Sequence, residues 1–417
     1  MSLLSSNSQQ AMNQYLDDTY AITLVQDRPF FDRITKKSGM GGLGTKVPFN
    51  VGYGGGQGSV FETALANAQS SGAVRYSWAI SPANEFGITT VDNAEVPFSQ
   101  TENSVIDFAL ESTRGAMENA AQNFSMLVLG SDGTGAFATI STATNTSGNI
   151  WDLLLTDPTA VNKLNINNVI VQAATNTSSL DAGSGTVKGL NPIAGIVTID
   201  VGSSGMTPTA THVIGLQGQF IGGSTITNFA GVFGFVPPVT ARTNGVVGDT
   251  FLGITRNAQT PVVAVSGWAY DARGKAMFPV ISSTAGNMAT FKNSKPDTLI
   301  CNPTTMSKLS VELDVKARYD MKSLTDANVF FSGFDIATPA GKVEVLADSS
   351  CPADKMLLTK ASTWIYGYPE KPFAPTSLTG KIAVESYDHN TTRFSVTAAG
   401  YFYTTNPAAS ACISVTP

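Results

Sequence analysis

Residues 296–309 read PDTLICNPTTMSKL, and the parsing of this stretch decides how the chain around it is organised. The run from Asp297 to Cys301 is apolar and β-branched enough to predict a strand. Asn302 then supplies a side-chain cap for the helix that follows, and Pro303 fills that helix's first turn. The helical pattern continues through SKLSVELDVKARY. A strand therefore runs directly into a capped helix. Upstream, SSTAGNMATFKNS (282–294) predicts a further helix. Downstream, TPAGKVEVLADSSCPADKMLLTKASTWIYG (338–367) predicts two strands around a turn that contains Pro352. The end of the chain, TTRFSVTAAGYFYTTNPAASACISV (391–415), predicts one or two long strands broken near Asn406–Pro407. Helices and strands of this kind indicate an α+β architecture.

The strongest helical signal lies earlier, in residues 99–130. Ser99 and Glu102 form a capping box. Apolar residues recur at helical spacing at Ile106, Ala109, Leu110, Ala116, Met117, Ala120, Ala121, Phe124, Leu127 and Val128, and Gly130 is a natural stop. Asp107, Glu111, Arg114, Glu118 and Gln122 occupy the opposite face. Roughly 28 residues at 1.5 Å each give a helix about 40 Å long, a strut rather than the support of one small core.

Before this helix, residues 1–35 are polar with scattered apolar anchors, and QDRPFFDRIT predicts an extended arm held by Phe30 and Phe31. Residues 36–98 predict a long β-excursion: the glycine-rich SGMGGLGTKVPFNVGYGGGQGS (38–59), a short helical turn in SVFETALANAQ, then the strand-like VRYSWAIS and EFGITTVD. Gly39 and Gly44 have the spacing of a phosphate-binding loop. Thr45 and Lys46 stand in the wrong order for one, DRITKKS is too polar for the buried strand that must precede it, and Pro48 and Gly52 prevent the helix that must follow. The glycines predict a flexible loop or hairpin instead. From about Leu164 to Phe229 short β-branched runs alternate with turn residues, which predicts a small β-barrel or sandwich.

Composition narrows the function. Of 417 residues only 13% are charged, against about 25% in an average soluble chain. Such a surface suits a protein covered by copies of itself, and equally a β-rich extracellular protein. The net charge of −6 and the absence of any long Lys/Arg run argue against a protein that grips nucleic acid. No stretch approaches the roughly 18 apolar residues of a membrane span, and the first residues lack the pattern of a signal peptide, which predicts a cytoplasmic chain. Cys301, Cys351 and Cys412 are too scattered for a disulfide framework, and His212 and His389 lack clustered partners for a metal. The Asn145-Thr-Ser and Asn176-Thr-Ser triplets carry no meaning without secretion. No catalytic, cofactor-binding or metal-binding residue is expected.

The series of arm, glycine-tipped excursion, strut helix, β-insertion and PDTLICNPTT unit resembles the major capsid proteins of tailed bacteriophages, of the Hong Kong 97-type fold. The resemblance covers most of the chain. It is carried by PDTLICNPTTMSKL, TPAGKVEVLADSSCPADKMLLTKASTWIYG and YFYTTNPAASACI, and by FAGVFGF with GDTFLGITRN, where relatives with a small inserted β-domain rejoin the main fold.

The resemblance implies an N-terminal arm (1–35), an extended loop (36–98), a spine helix and the start of a peripheral domain (99–163), an inserted β-domain (164–229), a peripheral domain (230–296), an axial domain (297–375) and a return to the peripheral domain (376–417). It implies hexamers and pentamers closing into an icosahedral shell around double-stranded DNA, held without sequence recognition. Portal, scaffolding and decoration proteins are the other partners implied. The locations implied are the virion capsid and, during assembly, the host cytoplasm. The loop that lies across a neighbouring subunit would include Lys36, Lys37, Lys46, Gly54, Gly55, Gly56 and Glu62. The spine helix would show Asp107, Glu111, Arg114 and Glu118 on its polar face. Some relatives join an extended-loop lysine to an asparagine of another subunit; Lys36, Lys37 and Lys46 are the lysines so placed, and no motif marks an acceptor. The competing reading is a secreted β-rich surface-layer or adhesin-type structural protein. It shares the low charge but not the long amphipathic helix.

Overall fold

The computed structural model describes residues 28–40, 44–52, 55–70, 74–92, 118, 120–222, 229–291, 294–314, 333–369, 373–375, 383–386 and 391–416. Strands are numbered here in chain order. Two six-stranded sheets and one closed six-stranded barrel carry the architecture.

The first sheet contains β1 (Thr35–Lys37), β4 (Ala83–Asp92), β18 (Trp364–Gly367), β19 (Phe373–Pro375), β20 (Ala383–Ser386) and the long β21 (Thr391–Thr404). β21 is its organiser. It pairs antiparallel with β4 from Thr391↔Asp92 to Gly400↔Ala83, then with β18 from Tyr401↔Gly367 to Thr404↔Trp364. The second sheet runs β13 (Trp268–Asp271), β22 (Ser410–Ser414), β17 (Lys355–Thr359), β14 (Thr298–Cys301), β16 (Gly341–Ala347), β15 (Gly333–Thr338).

The PDTLICNPTT stretch lies at the centre of this second sheet. All four residues of β14 are buried, as expected of a short apolar strand with neighbours on both edges. The helix Pro303–Asp314 follows at once. Asn302 Oδ1 accepts from the Thr304 amide at 3.1 Å and from the Thr304 hydroxyl at 2.9 Å, while its Nδ2 donates to the Cys351 carbonyl at 2.8 Å. The cap thus also ties the helix start to the turn between β16 and β17.

Two strands flank the turn with Pro352 and the chain end breaks at Asn406–Pro407, both as the sequence predicts, but the pairing is non-local. β16 and β17 do not form a hairpin: β14 lies between them, parallel to β16 and antiparallel to β17. The turn containing Pro352 therefore spans a strand. The two terminal strands lie in different sheets. Asn406–Pro407 marks the point where the chain leaves β21 in the first sheet and enters the second as β22, so the last strand cross-links the two.

The first sheet packs on an aromatic core. Phe30 and Phe31, both essentially fully buried, belong to a one-turn helix, Pro29–Arg33, rather than to an extended segment. They are anchors, as the sequence indicated, but in this chain's own core; residues 1–27 lie outside the described residues. Phe30 meets Trp364 and Phe402, which stack at 5.3 Å with planes 8° apart. Of the strut helix, residues 120–129 are described. Ala120, Ala121, Phe124, Leu127 and Val128 are buried in this core, on the face that the spacing predicts, and Phe124 contacts Phe31, Phe229 and Tyr366. Gly130 stops the helix: a Cβ there would lie 2.7 Å from the Met126 carbonyl oxygen and 3.0 Å from that of Ser350.

The barrel closes in the order β10 (Val213–Leu216), β5 (Ala136–Ser147), β6 (Ile150–Leu155), β9 (Ile196–Asp200), β8 (Gly185–Asn191), β7 (Val169–Ala173). Ile140, Leu153, Leu155, Ile170, Val187, Val197, Ile199 and Ile214 fill it. Its start is Ala136, not the neighbourhood of Leu164. The reason is visible in β5: beyond Ile140 the strand is mostly exposed Thr, Ala and Asn, so no apolar alternation marks it. Two small two-stranded sheets complete the fold, β11 (Thr250–Phe251) with β12 (Ile254–Thr255), and β2 (Thr45–Gly52) with β3 (Val74–Ile80).

Candidate interaction surface

The β2–β3 hairpin and the segment at its end carry four exposed large apolar side chains, Val60, Phe61, Leu65 and Val74. One pleat face of the hairpin carries Phe49, Val51, Trp78 and Ile80, all buried. Trp78 is the root: it stacks on Phe49 and meets Phe235 and Phe251 edge-on. Its indole N–H donates to the Thr404 carbonyl at 3.1 Å, at the end of β21. The Ala79 amide donates to the Leu252 carbonyl at 2.9 Å. The hairpin is therefore rooted firmly in the aromatic core.

Beyond the root, burial stops. The helix Phe61–Ser70 connects the strands. Its Ala64 and Ala68 face the glycine loop: a Cβ on Gly56 would lie 1.6 Å from the Ala64 carbonyl oxygen and 2.5 Å from the Ala68 nitrogen. Asn67 Nδ2 adds a bond to the Gln57 carbonyl at 2.9 Å. Phe61 and Leu65, one turn apart on an adjacent face, are 80% and 48% exposed. Val60 and Val74 are also largely exposed. Large apolar side chains grouped this way mark an interaction surface.

The residues singled out from the sequence separate into groups. Lys36 and Lys37 belong to β1, paired in parallel with Tyr366 and Gly367, so they sit on the edge strand of the first sheet rather than in the excursion. Charged lysines suit an edge that must not pair indiscriminately. Lys46 stands on the exposed face of β2 opposite Ala79, and Glu62 is exposed in the first turn of the helix. Gly55 has a φ of 147° with open space around it, whereas Gly56 is pressed against the helix; Gly54 lies outside the described residues. The strut helix shows Glu118 exposed, and Asp107, Glu111 and Arg114 also lie outside the described residues. Of the stretch 36–98, β4 is built into the first sheet, whereas β2, β3 and their connecting helix stand apart from it.

Among the buried polar groups that sequence reading missed, three carboxyl or amino groups have shifted ionisation. Glu85 on β4 is 7% exposed, and burial raises its pKa from 4.5 to about 7 against the opposing pull of bonds from Gln219 and Asn123. Lys163 ends the 3-10 helix Pro158–Lys163 with its Nζ buried and without a hydrogen-bond partner among the described residues; burial lowers its pKa, and Asp157 opposes this. Asp348, fully buried, is pushed up by burial, while the Ser350 and Phe30 amides and Arg28 pull it back. Nothing in the sequence marks their burial: around Glu85 the apolar alternation points the other way, since Phe86 and Ile88 are the residues left exposed. The three thiols are buried, and burial raises their pKa, to about 12 for Cys301 and Cys412. Among the described residues no group of three or more His, Cys, Asp or Glu side chains is placed to hold a metal ion. No helix among them is long and apolar enough to cross a membrane.

No protein-family model matches the chain, and no curated protein does. Among solved structures, it is similar to the capsid asymmetric unit of cyanophage A-1(L), with 9% identity, a TM-score of 0.49, and 93% of this chain and 92% of that one covered. It is also similar to a chain from Mycobacterium phage Ogopogo, at 8% identity, TM-score 0.43 and coverage of 94% and 92%. A third is a chain of the satellite phage P4 procapsid with its size-determination protein, at 11% identity, TM-score 0.40 and coverage of 97% and 100%.

Proposed function

We propose that this chain is the major capsid protein of a tailed bacteriophage, with an HK97-like fold, whose copies close as hexamers and pentamers into an icosahedral shell around double-stranded DNA. The observation that carries this reading is the excursion. Trp78 roots it in the subunit core, while Phe61 and Leu65 on its helix stay in water. A lone subunit leaves that surface uncovered, and a neighbouring copy buries it. The low fraction of charged residues fits an exterior made largely of such contacts.

In this reading β2, β3 and their helix form the extended loop, and Lys46, Gly55, Gly56 and Glu62 belong to it. Residues 120–129 end the spine helix, whose polar face carries Asp107, Glu111, Arg114 and Glu118. The first sheet is the peripheral domain, the second the axial domain, and the barrel the inserted domain. The role is structural rather than catalytic and asks for no cofactor. Portal, scaffolding and decoration proteins are the remaining partners, and the protein works in the virion after assembly in the host cytoplasm. An acidic chain facing packaged DNA avoids gripping phosphates along the wall.

The test is negative-stain microscopy with sedimentation velocity on the purified chain. Closed shells, or rings of five and six subunits, are expected. A monodisperse monomer across the concentration range overturns the assignment.

A further inference from the structure

The chain enters and leaves the barrel through a neck, one of several contacts with the rest of the subunit: Met126 of the strut helix joins the barrel's core, and Asp157 accepts from the Ala353 amide. Residues 131–135 lead into it and residues 229–235 follow it, and the two passages are in direct backbone contact. A Cβ on Gly231 would lie 2.0 Å from the Ser131 carbonyl oxygen, and one on Gly234 would lie 2.3 Å from that of Asp132. Only glycine allows this approach.

Beside the neck one carboxyl group bridges to the barrel. Glu85 stands on β4 opposite Ala398 of β21, buried. Its Oε1 accepts from Gln219 Nε2 at 2.5 Å. Gln219 lies in the turn that ends β10, where the Gln219 and Phe220 amides both reach the Leu216 carbonyl, at 3.1 and 2.9 Å. That turn rests on the neck: a Cβ on Gly135 would lie 2.5 Å from the Gln219 carbonyl oxygen. From the other side Asn123, on the helix 120–129, also bonds the Glu85 side chain. A single carboxyl thus joins sheet, helix and barrel.

We propose that Glu85 is a protonation-controlled latch that holds the barrel's closing turn against the first sheet and the strut helix as the neutral acid, and loosens it as the carboxylate. Among the described residues the groups that bond it, Gln219 and Asn123, are uncharged amides. The described charged side chains on the packed elements are Glu118 on the helix, Arg393 on β21 and Asp132 in the neck, and none of them is among the groups that act on it. Both amide bonds favour the carboxylate, but burial outweighs them, so the closed arrangement favours the neutral acid.

The shift in pKa from 4.5 to about 7 sets the window. The latched state binds the proton more tightly than the released one, so latching is strongest below the ordinary carboxylate pKa and is lost as pH rises through about 7. Each unit of that difference is a tenfold change in the latching equilibrium. The inference concerns the subunit's interior and stands independently of the assembly reading.

Hydrogen exchange on the purified full chain tests it, with rates corrected for intrinsic pH dependence. Between about pH 5.5 and about pH 8, protection over residues 213–222 and 120–129 is expected to fall at least tenfold, while that over 298–301 holds. Glu85→Gln, which keeps an acceptor for Gln219 without the charge, is expected to remove the difference. A flat wild-type profile, or an E85Q profile as steep as wild type, overturns the latch. If E85Q does not fold, infrared difference titration of wild type decides: a protonated-carboxyl band lost with a midpoint near pH 7 supports the proposal, and its absence above about pH 5.5 refutes it.

Discussion

Phe49 and Trp78 stack at 4.7 Å with ring planes 15° apart, directly across the β2–β3 pair from one another's neighbours, and this pair decides where the hairpin stops being core and becomes surface. Val51 and Ile80 on the same pleat face are buried, Val47 and Tyr76 half-buried, and the helix Phe61–Ser70 beyond is exposed along most of its length. The stack therefore separates two kinds of residue that respond differently to substitution.

Trp78 belongs to the core. Trp78→Ala removes a fully buried indole and leaves a cavity among Phe49, Phe235 and Phe251. A loss of about 3–5 kcal/mol is expected in urea unfolding of the unassembled chain. Trp78→Phe keeps the aromatic packing but strips the Thr404 carbonyl of its donor, so a smaller loss of about 1–3 kcal/mol is expected. A wild-type midpoint for Trp78→Ala means that the hairpin is not rooted in the core.

Phe61 and Leu65 belong to the surface. Phe61→Ser with Leu65→Ser is expected to leave the unfolding midpoint of the unassembled chain within about 0.5 kcal/mol of wild type. Sedimentation velocity is expected to show subunits or small oligomers where wild type forms large assemblies. Normal assembly by the double variant removes this face from the list of contacts.

The neighbouring glycines Gly55 and Gly56 divide in the same way. Gly56→Ala places a methyl group against the Ala64 carbonyl and must lift the loop off the helix, a cost of about 1–3 kcal/mol confined to the excursion. At Gly55 the strain comes from a φ of 147° alone, with open space around the position. Limited proteolysis is expected to cut Gly56→Ala faster than wild type between residues 55 and 70 while the global melt is unchanged. Identical cleavage of Gly56→Ala and wild type shows that the close contact does not hold the loop.

These cases also show which features the sequence makes readable. The strand and capped helix of PDTLICNPTT, the paired anchors Phe30 and Phe31 and the buried face of Phe124, Leu127 and Val128 are local signals, set by neighbours three or four residues away. The insertion of β14 between β16 and β17 is not local, since nothing in either strand names its partner. β5 went unread because its outer half buries neither face. Gly56 read as conformational slack, but its small size serves packing, and only the approach of a helix backbone ten residues on reveals this. Glu85 and Lys163 are single charged residues whose burial depends on elements that arrive from elsewhere in the chain.

Lys163 gives the last prediction. Its Nζ is buried where the strut helix ends, without a hydrogen-bond partner among the described residues, 3.3 Å from where a Cβ on Gly130 would stand. Burial lowers its pKa below the ordinary lysine value of 10.5, and Asp157 only partly opposes this. The folded chain therefore binds this proton more weakly than the unfolded chain. Stability contributed by the site is lowest below the folded pKa and rises with pH until it levels off above 10.5. Lys163→Met keeps the aliphatic stem and removes the charge. It is expected to raise stability at neutral pH and to flatten the rise toward alkaline pH. Calorimetric melts of wild type and variant from neutral to alkaline pH measure both effects. A variant less stable than wild type at neutral pH, with the slope retained, means that the ammonium is held by charge pairing and that burial is not the dominant influence on it.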